Sequence, residues 1–284
     1  MLWENLREEE FAKAIEESKG VCVMPIGCHE MHGQHLPINT DVLIADYVAK
    51  KAAEIEPVCV FPAFDFGDIQ GIHGHKGTVM LTVETLQWYM TELCSEIARN
   101  GFKKIIILNA HGGNGPFLHN FIRSTQHDKK DYVVLARNSF AYEIVNLAAD
   151  IDNGVDIPEL TDEDKKYVTD FVHAKKHYGH ACIEETSQIL AIAPELVRMD
   201  RMTAVDGLST HKADYLHEVG FGLTSQFWKV NYPNSYSGHH HEGANARIGH
   251  ALLNRQIKIQ AEACRRLKMD DRVLEWNDEW NNAW

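Results

Sequence analysis

Apolar residues along this chain fall into two kinds of run that alternate. Short continuous stretches rich in β-branched side chains occur at Val21–Ile26, at 58–62, at Lys104–Asn109 and at 132–136. Runs of that length without polar alternation predict strands covered on both faces, as in a parallel sheet. Between them, apolar positions recur at three- and four-residue spacing. Val42, Ala45, Val48, Ala49, Ala52 and Ile55 do so within 41–56, and Leu86, Tyr89, Met90, Leu93 and Ile97 within 86–100. Both read as amphipathic helices, the first ended by Pro57 and the second by Asn100-Gly101.

Further helices are expected over 115–126, over 184–193 up to Pro194, and over 243–268, and residues 1–20 are helical in pattern. Strand–helix alternation of this kind predicts an α/β fold, a mainly parallel sheet between helices. Such sheets place ligands at the carboxyl ends of their strands. Residues 150–169 are acidic, poor in large apolar side chains and hold Pro158, so a surface excursion or lid with a short helix is expected there. It lies within a loop insertion of about 139–178. No linker divides the remainder, and a single domain over 1–284 is the simplest organisation.

Composition adds exclusions. Hydrophobic residues at 44% and charged residues at 24% are the balance of a globular protein with a sizeable core. A formal net charge of −13 without a basic patch argues against a nucleic-acid partner. The charged amino terminus is unlike a signal peptide, and no apolar run is long enough for a membrane span, so a cytoplasmic location is expected. Cys22, Cys28, Cys59, Cys94, Cys182 and Cys264 lack CxxC spacing and read as reduced, mostly buried thiols. Cys28 and Cys182 sit beside polar clusters, but neither has a visible base partner for a nucleophilic role.

Three clusters carry candidate chemistry. The first, residues 25–41 (PIGCHEMHGQHLPINTD), sets His29, Glu30, His32, His35 and Asp41 behind the first strand. Glu30 and His32 are two apart, so in an extended segment both leave on one side, while Asp41 opens the next helix and can swing back. Imidazole and carboxylate together suit zinc, manganese or iron, and a carboxylate such as Asp41 can bridge two ions. The competing reading has Asp41 merely capping its helix among solvated histidines.

The second cluster, residues 109–114 (NAHGGN), follows the third strand and leaves His111 as its one strong ligand. Gly112 and Gly113 permit a tight turn or close backbone approach, although no phosphate-loop fingerprint is present. The third cluster, residues 180–187 (HACIEETS), offers His180 and Glu185 at a helix start, Glu185 being the stronger ligand candidate. Alone it would read as an acidic helix amino terminus with a flanking histidine.

The pattern PxGxxExHGxHLPxxTD, then NxHGGN, then HAxxxETS leading into xxLAxxPELVRxD, over about residues 20–200, resembles the creatininase (creatinine amidohydrolase) family. The resemblance implies a three-layer α/β sandwich and a homohexamer. It implies Glu30, His32, Asp41, His111 and Glu185 as ligands of two divalent ions, zinc first with manganese or iron as alternatives, and Asp41 shared. His180 would be the proton shuttle, so that His180 and Glu185 are the catalytic candidates. Creatinine hydrolases carry a tyrosine and a glutamate where Gly112 and Gly113 stand, and tryptophans in a loop that is tryptophan-free here. The segment from His73 to Thr78 matches the family securely only at Gly77-Thr78.

The activity so implied is hydrolysis of a small-molecule amide C–N bond, cyclic or linear, by a water activated between two ions. Cleavage of an N-formyl group or of a peptide tail in a tailoring pathway is the alternative within the same chemistry. A catalytically silent metal- or ligand-binding protein and a nucleotide-binding α/β protein are alternatives from other classes. Substrate choice is expected in 139–176 and around 236–241. There the run His239, His240, His241 could hold a further ion, line a neighbouring subunit's site, or form a solvated turn.

Overall fold

The computed structural model describes residues 1–69, 74–138, 143–222 and 226–283. In chain order its helices and strands are α1 (Phe11–Ser18), β1 (Val21–Ile26), α2 (Thr40–Ile55), β2 (Cys59–Val60), α3 (Val83–Arg99), β3 (Lys104–Asn109), α4 (Asn114–Ser124), β4 (Val133–Asn138), α5 (Glu143–Asp152), α6 (Asp162–His173), α7 (Ile183–Ile192), α8 (Asp214–His217), α9 (Gln226–Asn231), α10 (Ala246–Met269) and α11 (Arg272–Asn282). The sheet is parallel, in the order β2-β1-β3-β4.

Strand alternation divides the core into two layers. Val21, Val23, Ile106 and Leu108 point to one face, where they pack with Ile44, Val48 and Ala49 of α2, Ile189 of α7, and Leu253 and Ile257 of α10. Cys22, Met24, Ile26, Ile105 and Ile107 point to the other, against Leu86, Met90 and Ile97 of α3 and Phe117, Leu118 and Phe121 of α4. Helices on both faces make the three-layer α/β sandwich. Each fully buried aliphatic side chain here contributes about 1.5–3 kcal/mol over its exposed state, which is why continuous apolar strands read so clearly in the sequence. Among the described residues no helix is long and apolar enough to cross a membrane.

Three elements differ from expectation. The strand expected over 58–62 shrinks to Cys59–Val60: Phe61 still donates to the Val23 carbonyl, but Pro62 has no N–H with which to continue. The segment after β4 is more ordered than a lid with one short helix. Ile144 and Leu147 of α5 and Val168 and Phe171 of α6 are buried with Ile183, Ile248 and Leu252. Only two or three apolar positions per helix do this, too few to stand out from the acidic background. Helix α11 follows a polar stretch and keeps Trp276 and Trp280 about half exposed.

Candidate metal centre

Strand order sets the location. From β1 the chain crosses to β2 at one edge, and from β3 to β4 at the other, so the loops leaving β1 and β3 diverge from a common crevice at the carboxyl end. Ile26 is in register with Asn109, and Ala110 N donates to the Ile26 carbonyl at 3.0 Å. The first two sequence clusters therefore emerge side by side. Gly27 lets α2 close on them: a Cβ there would stand 2.5 Å from Val42 N and 2.7 Å from the carbonyl carbon of Asp41. Helix α7, carrying the third cluster, packs against α2 and α10.

All six site residues expected from the sequence meet. Oε1 of Glu30 lies 3.0 Å from Nδ1 of His111, 3.5 Å from Nδ1 of His180 and 3.9 Å from Nε2 of His32. Asp41 splits its two oxygens between two imidazoles, Oδ1 at 3.1 Å from Nε2 of His32 and Oδ2 at 3.0 Å from Nδ1 of His111. Oε2 of Glu185 lies 3.8 Å from Nε2 of His32. Glu30, His32, Asp41 and His111 are buried, whereas the side chains of His180 and Glu185 keep 14% and 19% of their surface and form the open side.

Hydrogen bonds fix which way each ring faces. Nε2 of His111 is 2.9 Å from the Asp68 carbonyl oxygen, and Nδ1 of His32 is 3.1 Å from that of Glu30. A carbonyl only accepts, so these nitrogens carry the protons of the neutral rings. The opposite nitrogens then turn lone pairs on carboxylates, an arrangement that repels unless a cation or proton lies between. Oε1 of Glu30 is buried and accepts no aligned hydrogen bond despite three imidazole nitrogens nearby. In the metal-free protein, protons fill the gap. Burial alone would lower the pKa of His32, but Asp41, with Glu185 and Glu30, outweighs it and raises it to about 10. His111 is raised well above its usual value, burial being outweighed by Glu30 and Asp41. Asp41 is held well below the carboxylate range by His32 and His111 in spite of its burial, and burial lifts Glu185 to about 7.

Residues not anticipated as functional hold this geometry. Asn109 Oδ1 accepts from His111 N at 3.0 Å and from Asn114 Nδ2 at 2.9 Å, and Asn114 Oδ1 accepts from Asp68 N at 2.7 Å. The two asparagines so clamp the carbonyl that orients His111. Gly113 leaves the space for it, since a Cβ there would collide with the His111 ring and sit 2.6 Å from the Asp68 carbonyl oxygen, whereas nothing approaches Gly112. His180 Nε2 bonds the Met31 carbonyl at 2.7 Å, with Ser235 Oγ at 3.4 Å. Cys28 is fully buried and donates from Sγ to Oδ2 of Asp41 at 3.1 Å. Burial pushes the thiols of both Cys28 and Cys182 up, so neither is an activated nucleophile.

The family model of creatininase, described as creatinine amidohydrolase, matches residues 4–264. The chain belongs to the creatininase family. A creatinine amidohydrolase of Pseudomonas putida is 25% identical over 199 residues, covering 68% of this chain and 72% of the relative. A 2-amino-5-formylamino-6-ribosylaminopyrimidin-4(3H)-one 5'-monophosphate deformylase of Methanocaldococcus infernus is 36% identical over 105 residues, 35% of this chain and 44% of that enzyme. A mycofactocin precursor peptide peptidase of Mycobacterium ulcerans is 25% identical over 191 residues, 64% of this chain and 62% of the relative. Among solved structures, a zinc–zinc form of a creatininase mutant superposes with a TM-score of 0.69 at 22% identity, covering 93% of this chain and 96% of the other. This chain is thus a creatininase-family amidohydrolase with a candidate divalent-metal centre.

Within this creatininase-family chain the donor chemistry fits such ions. Buried lone pairs converge from imidazole and carboxylate, and the open side is left free, as catalytic metal sites require. Three overlapping groups could each hold a cation: Cys28, Glu30, Asp41 and His111; Glu30, His32 and His180; and His32, Asp41 and Glu185. His239, His240 and His241 belong to none of these among the described residues. Nor is the whole run a solvated turn: His241 is fully buried, with Nε2 2.8 Å from Thr186 Oγ1, whereas His239 and His240 are partly exposed, His240 Nε2 lying 3.3 Å from the Val205 carbonyl. His73, and residues 139–142 of the expected substrate loop, lie outside the described residues.

Proposed function

We propose that this cluster holds two divalent cations and that the protein hydrolyses a non-peptide amide C–N bond of a small molecule. The observation that carries the reading is Asp41, whose two buried oxygens face the free nitrogens of two different histidines. Glu30, His111 and Oδ2 of Asp41 would hold one ion; His32, Glu185 and Oδ1 of Asp41 would hold the other. Zinc suits this donor set first, with manganese or iron as alternatives. Bound there, the pair would supply hydroxide near neutral pH and polarise the amide carbonyl.

The protein's own contribution to proton transfer is His180. Its Nε2–H is committed to the Met31 carbonyl, so Nδ1, facing Glu30, is the atom that exchanges protons. Burial, with the His32 charge beside it, lowers its pKa to about 4, so the resting ring is neutral. A neutral imidazole can take the proton released by the attacking water and return it to the departing nitrogen, leaving amine and carboxylate as products. Glu185, at the open side, accepts from Ala181 N at 2.5 Å, which fixes its carboxylate toward His32.

A formamide substrate is the second reading, supported by the 36% identity to the deformylase over 105 residues. The assembly proposed for the enzyme is a cytoplasmic homohexamer, each chain a single domain. Chelator-treated protein should lose hydrolysis of a panel of cyclic amides, formamides and ureides and regain it with zinc or manganese. His180→Gln should keep its metals and lose about 10²–10⁴-fold in kcat. Full metal content with no cleavage of any amide would instead make this a binding protein.

A further inference from the structure

The chain around His32 and the proton carrier His180 meet at a serine that the reaction scheme leaves unused. Ser235 is fully buried, and its backbone is left-handed, with a φ of 46°. Its N–H closes a turn on the Tyr232 carbonyl at 3.2 Å, with Pro233 as the second residue of that turn. Glycine is the residue such a turn ordinarily takes at its end, because a Cβ is crowded at positive φ. A crowded backbone of this kind persists where the surroundings over-determine it, and what serine adds over glycine here is a hydroxyl.

Ser235 grips the chain on either side of His32. Its carbonyl accepts from Gly33 N at 2.9 Å, and its Oγ donates to the Met31 carbonyl at 2.9 Å. That same Met31 oxygen accepts from Nε2 of His180 at 2.7 Å. A carbonyl only accepts, so the hydroxyl proton is committed to Met31, and the Oγ lone pairs are what remain for Nε2 of His180, 3.4 Å away. The Nε2 proton therefore has two acceptors. Two residues on, Ser237 fixes the backbone of His180 from the same segment: His180 N donates to the Ser237 carbonyl at 3.1 Å, and Ser237 N to that of His180 at 2.8 Å.

We propose that Ser235 is a positioning residue for proton transfer: by giving the Nε2 proton of His180 a second acceptor, its hydroxyl holds that ring in the tautomer whose Nδ1 is bare and faces Glu30. The inference rests on the amidohydrolase reading, in which His180 moves the proton, and goes past it to the group that decides which nitrogen does so. With the proton on Nδ1 instead, the ring would meet the attacking water with a hydrogen rather than a lone pair, and would not take its proton. Metal binding asks nothing of the hydroxyl. The bond from Gly33 N to the Ser235 carbonyl is made by backbone alone, so it survives any change of side chain at 235.

Ser235→Ala removes the hydroxyl and keeps the crowded Cβ, whereas Ser235→Gly removes both and serves alone if the alanine protein does not fold. The tautomer is read from long-range proton–nitrogen correlation spectra of histidine-labelled, chelator-treated protein at neutral pH, with the His180 signals assigned by their loss in His180→Gln. Wild-type protein should show one tautomer, protonated at Nε2, and both variants should share the proton between the two nitrogens. On zinc-loaded protein, formate release from formanilide and ring opening of creatinine read turnover, and dye competition reads zinc affinity. In both variants kcat should fall about tenfold or more, while KM and zinc affinity stay within about twofold. The glycine variant should melt no lower than the alanine one, so that activity is lost without a loss of fold. An unchanged tautomer, a wild-type ring protonated at Nδ1, or a zinc affinity that falls as far as kcat overturns the positioning role. A tautomer that shifts in a protein that cleaves neither amide upholds the hold on His180 and overturns the hydrolase reading for both; cleavage by the glycine variant at the wild-type rate does the reverse.

Discussion

The thiol of Cys28 donates to Oδ2 of Asp41 at 3.1 Å, the same oxygen that faces Nδ1 of His111. A buried, neutral donor on that side fixes the carboxylate's rotation and so the direction of its other oxygen. Removing such a support typically costs metal ligation about 10–100-fold. Cys28→Ala is accordingly expected to weaken zinc binding about tenfold, while Cys28→Ser, which keeps an O–H donor, holds it close to wild type. Competition against a chelating dye reads both, and equal affinities would remove the thiol from the account.

Metal loading should release protons. His32, raised to about 10 by its carboxylate neighbours, and His111, raised well above its ordinary range, are both protonated at neutral pH without ions. A cation must displace them, together with the proton that Glu185, lifted to about 7, holds about half the time at pH 7, so apparent affinity rises with pH through neutrality, and calorimetry in buffers of different ionisation heat should find between about two and three protons released. The same shift acts on the empty protein. A histidine whose folded pKa is raised stabilises fully below its unfolded pKa and loses that contribution as pH climbs to the folded one. Chelator-treated protein should therefore lose melting temperature from neutral pH up toward pH 10, and zinc-loaded protein should not. Parallel melting curves would contradict this.

Gly27 tests how tightly helix and strand must close. A Cβ there would stand 2.5 Å from Val42 N, pushing away the turn of α2 that carries Asp41. Gly27→Ala is expected to cost about 1–3 kcal/mol of stability and to weaken metal binding together with it. Denaturant titration and metal competition on the same protein measure the two losses; a stable variant with wild-type affinity would show that the approach is not needed.

Asp164 ties α6 to α10 away from the centre. It accepts from Thr161 N at 3.0 Å, from Arg247 Nε at 2.6 Å and Nη2 at 2.9 Å, and from Asn245 Nδ2 at 2.8 Å. The Arg247 guanidinium, with the Thr161 and Asn245 hydrogen bonds, holds its carboxyl below the usual range. A depressed carboxyl stabilises above its unfolded pKa and ceases to do so as pH falls through the folded one. Asp164→Asn should cost about 2 kcal/mol at pH 7, shrinking below about pH 4. A variant as stable as wild type in urea at pH 7 would refute it.

What the sequence revealed follows from where the determining forces act. Val21–Ile26 and Lys104–Asn109 are buried on both faces, so their apolar continuity is local and readable. Glu30, His32, Asp41, His111, His180 and Glu185 stood out because metal-competent residue types cluster within short segments next to strand ends. Supporting residues carry no such mark. Asp68 acts through its carbonyl, a group every residue has, and Cys28 looks like any buried thiol. Ser235 reaches Met31 across 204 residues, a pairing that only the folded chain creates. Trp228 lies on a six-residue helix without periodicity to announce its ring contact with His180.

Anomalous diffraction from zinc-soaked crystals bears most directly on the dinuclear centre. Two peaks per chain are expected, one bounded by Glu30 and His111, the other by His32 and Glu185, with the Asp41 carboxylate between them. A single peak that leaves Asp41 out, or no peak at these side chains after soaking in zinc or manganese, would contradict the account.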